Sequence, residues 1–508
     1  MKKALSLFFA IATLLGICTA AFAEAEDPIR ITLLISDNPT FPFRNDWRAI
    51  TYLEEKYNVD LEFEPVPIDD FDTKASSILT SQGNDTPDVI MGGDASLGTN
   101  GALYAFSDHP EWTPNFNARV AEFGLETQVE MCRQSDGNMY HLTGLCDTRP
   151  YDGGLILRED YLEAKGFDAP ETFDDLYRIL KAYKEDYPDS LPLTTLLDVG
   201  FLLRMTMPSW GISLGTFNST GTDVLSWDYE NMSYFAGAVS EPYRDYITFL
   251  HRLYAEGLLD PEMSQDIDAT SRKMSTGAAM AVYAYYDQIP GWEQASEIEG
   301  FKLNLYPPLA GPGGAHHQPG SAVGTTYGLI IPIKTAQRED FEQVVRKLDE
   351  IFFSREAALV WCLGVEGETY TMDGDTVVFT DDILNAPEGV FKYMQVAYGC
   401  GNGETQYVTY NALEMAKYDE NYAEINAKVA AMDHAIQYLP VGPAFDELTS
   451  EDVALMQTTL ADAFATWNDA FIRGTRDIEA DWDAYVQDMK EKGIDEFLEL
   501  HNRFNRYQ

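Results

Sequence analysis

Ile29-Arg30-Ile31-Thr32-Leu33-Leu34-Ile35, followed by Val59-Asp60-Leu61-Glu62-Phe63 and then Pro87-Asp88-Val89-Ile90-Met91, is the part of the chain whose reading decides the fold. The first run alternates and then turns wholly apolar, as a buried strand does. A loop from Ser36 to Asn45 separates it from Trp47, Ile50, Tyr52, Leu53 and Tyr57, which recur at helical spacing. Strand, helix and strand in that order seed a parallel sheet. A second helix near Phe71 to Gln82 leads into the third run, which ends at Gly92-Gly93-Asp94. The loops after the first and third strands then share the carboxyl edge of one sheet, where open α/β sheets take ligands.

Downstream, Val129 to Gln134 and Met139 to Leu145 flank Ser135-Asp136-Gly137-Asn138 and predict a hairpin around an Asp-Gly turn. A second set of α/β segments follows. Leu155 to Arg158 is strand-like, and Thr172 is placed to cap a helix running through Leu180 and Tyr183 to Pro188. Helices are predicted from Tyr243 to Glu256 and around Arg272 to Thr276, with a strand at Ala279 to Ala284. Gly300 to Gly324 is rich in Gly and Pro and reads as a long loop; a strand at Tyr327 to Pro332 and a helix from Asp340 to Phe353 come next. The final stretch is helical in pieces: Trp482, Tyr485, Val486 and Met489 mark one helix, Phe497, Leu498 and Phe504 another.

Lys2, Lys3, an apolar run from Ala4 to Ile17 and Ala21-Phe22-Ala23 form the pattern of a signal peptide over residues 1–23, so export and cleavage before Glu24 are expected. Cys18 raises the alternative of a lipid anchor, but Ile17 stands where a lipoprotein peptidase wants a small residue, which favours plain secretion to the cell envelope or periplasm. Cys132, Cys146, Cys362 and Cys400 remain, an even number for an oxidising compartment. Proximity in sequence favours Cys132-Cys146 and Cys362-Cys400 as disulfides, with unpaired buried thiols as the alternative. Asp and Glu number 83 against 35 Lys and Arg, a formal net charge of -48, which argues against nucleic acid, anionic membrane surfaces and polyanionic substrates.

Several segments together resemble the family 1 extracellular solute-binding proteins of ABC sugar importers, especially their long, LplA-like branch. They are Thr86-Pro87-Asp88-Val89-Ile90, Leu180-Lys181-Ala182-Tyr183-Lys184 with Tyr187-Pro188-Asp189-Ser190, Gly257-Leu258-Leu259-Asp260-Pro261-Glu262, and Ser275-Thr276-Gly277-Ala278-Ala279-Met280-Ala281-Val282. The tail adds Phe471-Ile472-Arg473-Gly474, Asp481-Trp482-Asp483-Ala484-Tyr485-Val486 and Lys492-Gly493-Ile494-Asp495-Glu496-Phe497. The resemblance implies a periplasmic-binding-protein-like, two-lobed α/β clamp with the ligand in the cleft between lobes and a helical C-terminal region. The lobes are expected at residues 24–148 with 322–385, and 149–321 with 386–508. It further implies a monomeric receptor that captures an oligosaccharide and delivers it to the membrane subunits of an ABC importer.

Sugars present a hydroxyl rim and an apolar C–H face, so their sites need aromatic platforms and planar polar side chains. Asp37 and Asn38 end the first strand, Asp94 and Ser96 follow the third, and Trp210 opens a Gly-rich loop. Tyr283, Tyr285, Tyr286 and Asp287 end a second-lobe strand, with Trp292 just beyond. By resemblance, Asp94 is expected to accept from ligand hydroxyls and Tyr285 or Tyr286 to stack on a sugar ring. For each, the plainer alternative is a helix cap or a core residue.

Enzymatic readings are weaker. Gly211-Ile212-Ser213-Leu214-Gly215 fits the G-x-S-x-G pattern, but loop residues follow where a helix is required. No zinc or P-loop spacing occurs, no cofactor is implied, and only Asp266-Ile267-Asp268 and Asp373-Gly374-Asp375 could touch a structural calcium. A secreted carbohydrate-active enzyme and a peptide receptor of the same fold are the alternative functions.

Overall fold

The computed structural model describes residues 27–39, 41–147, 151, 153–212, 224–320, 323–374, 376–401, 404–418, 420–432, 436–438, 442–443 and 445–506. The expected signal peptide with Cys18, and most of the G-x-S-x-G segment, lie outside the described residues.

The strands that matter here are β1 (Ile29–Asp37), β2 (Val59–Pro67), β3 (Val89–Met91), β4 (His141–Cys146), β5 (Gly153–Arg158), β6 (Leu193–Thr195), β7 (Ala281–Tyr285), β8 (Leu303–Tyr306), β9 (Val323–Ile330) and β10 (Val408–Thr409). The first lobe is a six-stranded sheet in the order β10-β4-β9-β3-β1-β2, and the second a four-stranded sheet ordered β8-β5-β7-β6. In the first, β1 runs parallel to both β2 and β3, while β9 returns antiparallel between β3 and β4.

The apolar run in β1 follows from burial on both faces. Leu33 and Ile35 point into the core built with Trp47, Ile50 and Leu53, whereas Leu34 packs on the other side against Phe71 and Leu79. The helix Arg48–Tyr57 ends at Asn58, whose φ of 52° is left-handed and suits asparagine. Thr32 and Asp88 fix the register of β1 against the approach to β3: the Thr32 amide and hydroxyl both donate to the Asp88 carboxylate at 3.0 Å.

In the second lobe, Leu155, Ile156 and Leu157 of β5 are fully buried, and the helix Phe173–Asp186 covers the sheet. Its start carries a complete capping box: the Asp175 amide donates to Thr172 Oγ1 at 3.1 Å, and the Thr172 amide donates to Asp175 Oδ2 at 3.0 Å. Thr172→Ala is expected to cost about 1 kcal/mol, read as a lower midpoint in denaturant melts. A helix of 27 residues, Glu447–Arg473, spans what the sequence presents as separate pieces. It packs beside the helix Glu241–Ala255, where the Tyr243 hydroxyl donates to Asn468 Oδ1 at 2.9 Å.

The structure departs from several expectations. The long loop expected at Gly300 to Gly324 contains the strand β8. The hairpin at 129–145 does not form, because Glu126–Glu130 is helical and turns Val129 and Cys132 into the first-lobe core, leaving only β4 as a strand. The expected lobe boundary at 385 is too early, since β10 pairs parallel with β4 and keeps the chain on the first sheet to Thr409. The cysteines are thiols, not the disulfides Cys132-Cys146 and Cys362-Cys400. Cys132 is buried in the first-lobe core, where its Sγ donates to Gln128 O at 3.4 Å. Cys362 and Cys400 share one small core, yet the first donates to Glu414 Oε1 at 3.2 Å and the second to Val360 O at 3.4 Å.

Candidate functional site

Asp37 terminates β1 and accepts the Phe43 amide at 2.8 Å, which folds the loop back on itself. Phe43 lies 4.9 Å from the rings of both Trp47 and Phe63, so the loop rests on the first-lobe core and presents Phe41 half-exposed. Asp94 ends the neighbouring β3 segment and caps the following turn, accepting the Ser96 amide at 2.8 Å. A Cβ on Gly98 in that turn would fall within the ring of Tyr140. Gly98→Ala is therefore expected to cost about 2 kcal/mol and displace the Asp94 loop, visible as a lowered thermal midpoint.

On the second lobe, β7 delivers Tyr285 half-buried, with its hydroxyl 3.4 Å from Arg204 and its ring 5.5 Å from Phe201. Asp287 follows, accepting the Gln288 side-chain amide at 3.0 Å. Lys392 joins the two lobes. Its amine lies 5.4 Å from the centroid of Phe41, beside the end of β1, and it is attracted by Asp287, beside the end of β7. Burial holds the Lys392 amine below its ordinary value, partly offset by Asp287.

The short helix Val390–Tyr393 that carries Lys392 is fastened at both ends. Trp47 Nε1 donates to Val396 O at 3.0 Å on the first-lobe side, and a Cβ on Gly389 would sit 3.7 Å from Pro290 on the other. Phe391 stacks on Tyr418 at 5.0 Å, Tyr418 on Tyr422 at 3.9 Å, and Tyr422 meets Tyr286 at 4.5 Å. Phe391 and Tyr418 remain partly exposed at the outer end of this stack, whereas Tyr422 and Tyr286 are buried beneath them. The platform is braced from behind by Lys417, which is fully buried 5.1 Å from the Phe391 centroid and paired with Glu414 at 2.6 Å. Burial opposes the charge on Lys417, but Glu414 outweighs it and holds the amine above its ordinary value.

The ten residues singled out from sequence therefore separate into two groups. Asp37, Asn38, Asp94, Ser96, Tyr285 and Asp287 sit at the strand ends with some surface open. Tyr283, Tyr286 and Trp292 do not offer a stacking face, being 4%, 5% and 3% exposed. Tyr283 belongs to the second-lobe core, and Trp292 donates to Ser271 Oγ at 2.9 Å. Trp210 is wedged among Phe173, Tyr246 and Phe249 with centroids 5.4 to 5.5 Å apart, which makes it packing as well. Phe41, Phe391, Lys392 and Tyr418 were not legible as site residues, because they lie in a loop and in helical fragments with no motif or periodicity. No group of three or more His, Cys, Asp or Glu side chains among the described residues is placed to hold a metal ion, and Asp266 instead caps a helix through the Ala269 amide at 2.7 Å.

The profile of a family described as bacterial extracellular solute-binding protein matches residues 42–358. The chain belongs to that family. This solute-binding protein is 29% identical over 353 residues to Lipoprotein LipO of Bacillus subtilis, and 20% identical over 344 residues to the polygalacturonan/rhamnogalacturonan-binding protein YtcQ of the same organism. The matched stretches cover 65% of this chain and 65% of LipO, and 66% of this chain and 65% of YtcQ. Among solved structures, an extracellular solute-binding protein from Bifidobacterium longum subsp. infantis superposes with a TM-score of 0.73 at 18% identity, covering 95% of this chain and 98% of that one. The alginate-binding protein AlgQ2 gives 0.72 at 18% identity, over 94% and 98%. These likenesses establish the periplasmic-binding-protein-like fold. By its family's description the chain is an extracellular solute-binding protein.

Proposed function

We propose that this protein is a receptor that captures an oligosaccharide in the cleft between its two sheets and hands it to the membrane subunits of an ABC importer. The observation that carries the reading is the Phe41–Lys392–Asp287 span, which links the carboxyl ends of β1 and β7 next to the partly exposed Phe391. Partly exposed aromatic rings near carboxylates suit a ligand with one C–H face and a rim of hydroxyls. The names of YtcQ and AlgQ2 as polysaccharide-binding proteins support the same ligand class. Closure of the lobes on the ligand would supply the shape that a transporter reads.

Calorimetric titration with di-, tri- and tetrasaccharides, and with peptides of similar length, tests this. Heat from at least one saccharide, with the sugar recovered uncut, is the expected result. Heat from peptides alone, or steady hydrolysis of the sugar, would count against it.

A further inference from the structure

The helix Glu126–Glu130, which displaces the expected hairpin, walls a pocket of about 220 Å³ in the first lobe. The floor of the pocket is apolar. Phe106, Phe116, Val120, Val129, Met139 and Leu142 line it, and all six belong to the buried first-lobe core. Its mouth lies along the outer side of the helix, where Glu126 and Glu130 stand one turn apart with Arg133 beside them. The pocket shares no lining residue with the strand ends that carry Asp37, Asp94 and Asp287.

The floor sets the size and polarity of an occupant. Protein interiors keep few voids larger than a water molecule, and an apolar cavity of about 150 Å³ already takes benzene. Water is a poor occupant here, because the polar side chains around the pocket are engaged within the chain. Ser107 Oγ donates to Asn138 Oδ1 and accepts the Met139 amide, both at 3.2 Å. Thr113 Oγ1 and Asn117 Nδ2 both donate to Pro110 O, at 3.3 and 2.9 Å. An apolar group the size of a benzene ring or a short branched chain suits the floor instead.

The mouth sets the charge. Arg133 is engaged by Glu130 Oε1 at 2.6 Å and by Gly137 O at 3.1 Å. Glu126 is exposed and has no hydrogen bond or ion pair among the described residues. One carboxylate at the mouth is thus uncompensated, which favours an ammonium group on the occupant and opposes a carboxylate. The net charge of -48 draws cations toward the same surface. From these observations we infer that the pocket is a second binding site, for a small organic ammonium ion bearing one aryl or branched-alkyl group, independent of the ligand in the cleft.

Calorimetric titration of the intact protein with phenethylammonium, phenethyl alcohol and phenylacetate tests this, at about 0.01 M salt, where surface charges are little screened. The ammonium is expected to bind about fivefold more tightly than the alcohol, and phenylacetate more weakly than either. Glu126→Gln should bring the ammonium down to the affinity of the alcohol and leave the alcohol unchanged. Val129→Phe and Val120→Phe, made separately, each put a ring into the pocket and should abolish binding of both compounds in a protein that still melts cooperatively. If neither filled variant folds, Glu126→Gln, at an exposed position, decides the question. Equal affinities for ammonium and alcohol, an unchanged preference in Glu126→Gln, ammonium binding that survives a folded Val129→Phe, or no heat from either compound would each overturn the inference.

Discussion

Removing the two partly exposed rings of the platform together, as Phe391→Ala with Tyr418→Ala, should lower saccharide affinity at least a hundredfold, equivalent to about 2.7 kcal/mol. The two rings lie 5.0 Å apart at an angle of 24°, stacked one on the other, so their partly exposed rims form the apolar surface offered to a ligand. A sugar ring packed against that rim loses hydration from its C–H face and gains dispersion contacts, and the exchange is largest where rigid aromatic anchors are already desolvated. Rigidity is supplied from below, since Tyr422 and Tyr286 continue the stack into the second-lobe core and the buried Glu414–Lys417 pair supports Phe391. Tyr418→Phe keeps the ring and should retain most of the affinity. The double variant must be shown to melt cooperatively, and wild-type affinity in that folded variant would refute the platform.

A comparably large effect is expected on acidification. His141 in β4 and His501 near the C-terminus are 6% and 7% exposed, and burial holds each imidazole down to about 4 from its ordinary 6.5. Among the described residues neither ring nitrogen of His141 finds a hydrogen-bond partner, whereas His501 Nδ1 lies 2.8 Å from Phe497 O. A depressed histidine gives full stability above pH 6.5, where both folded and unfolded states hold it neutral. Between pH 6.5 and about 4 the unfolded chain takes up a proton that the folded protein refuses, so stability falls with pH, and below about 4 the loss levels off. Each site is worth about 3 kcal/mol over that window. Denaturant melts from pH 7 to pH 4 should lose that amount per histidine, and His141→Gln should flatten its share of the decline. A variant whose pH profile matched the wild type would show that His141 is not the source.

The parallel core of the first lobe was legible because burial on both faces leaves an unmistakable mark: Leu33-Leu34-Ile35 of β1 and Val89-Ile90-Met91 of β3 are unbroken apolar runs, and the strand ends carrying Asp37 and Asp94 follow from them. The capping box at Thr172 was legible for the opposite reason, since it is a local device whose partners lie three residues apart. The hairpin at 129–145 misled because the Asp136-Gly137 turn is real, with Gly137 at φ 82°, but tertiary packing of Val129 and Cys132 draws the preceding segment into a helix. The tyrosines after β7 could not be sorted by sequence. Alternation along a strand states which residues share a face, but both faces of β7 are covered, so Tyr283 is core while Tyr285 keeps an open edge. The platform was hidden more deeply, because Phe391 and Tyr418 come together only through the returning chain between β9 and the helix Glu420–Ala430.

The most direct test is a crystal structure of the intact protein grown with a neutral tetrasaccharide. Density for an uncut sugar ring packed against Phe391 and Tyr418, with hydroxyls within hydrogen-bond reach of Asp37, Asp94 or Asp287, is the expected result. A saccharide bound elsewhere on the surface, touching neither Phe391 nor Tyr418, would contradict the account.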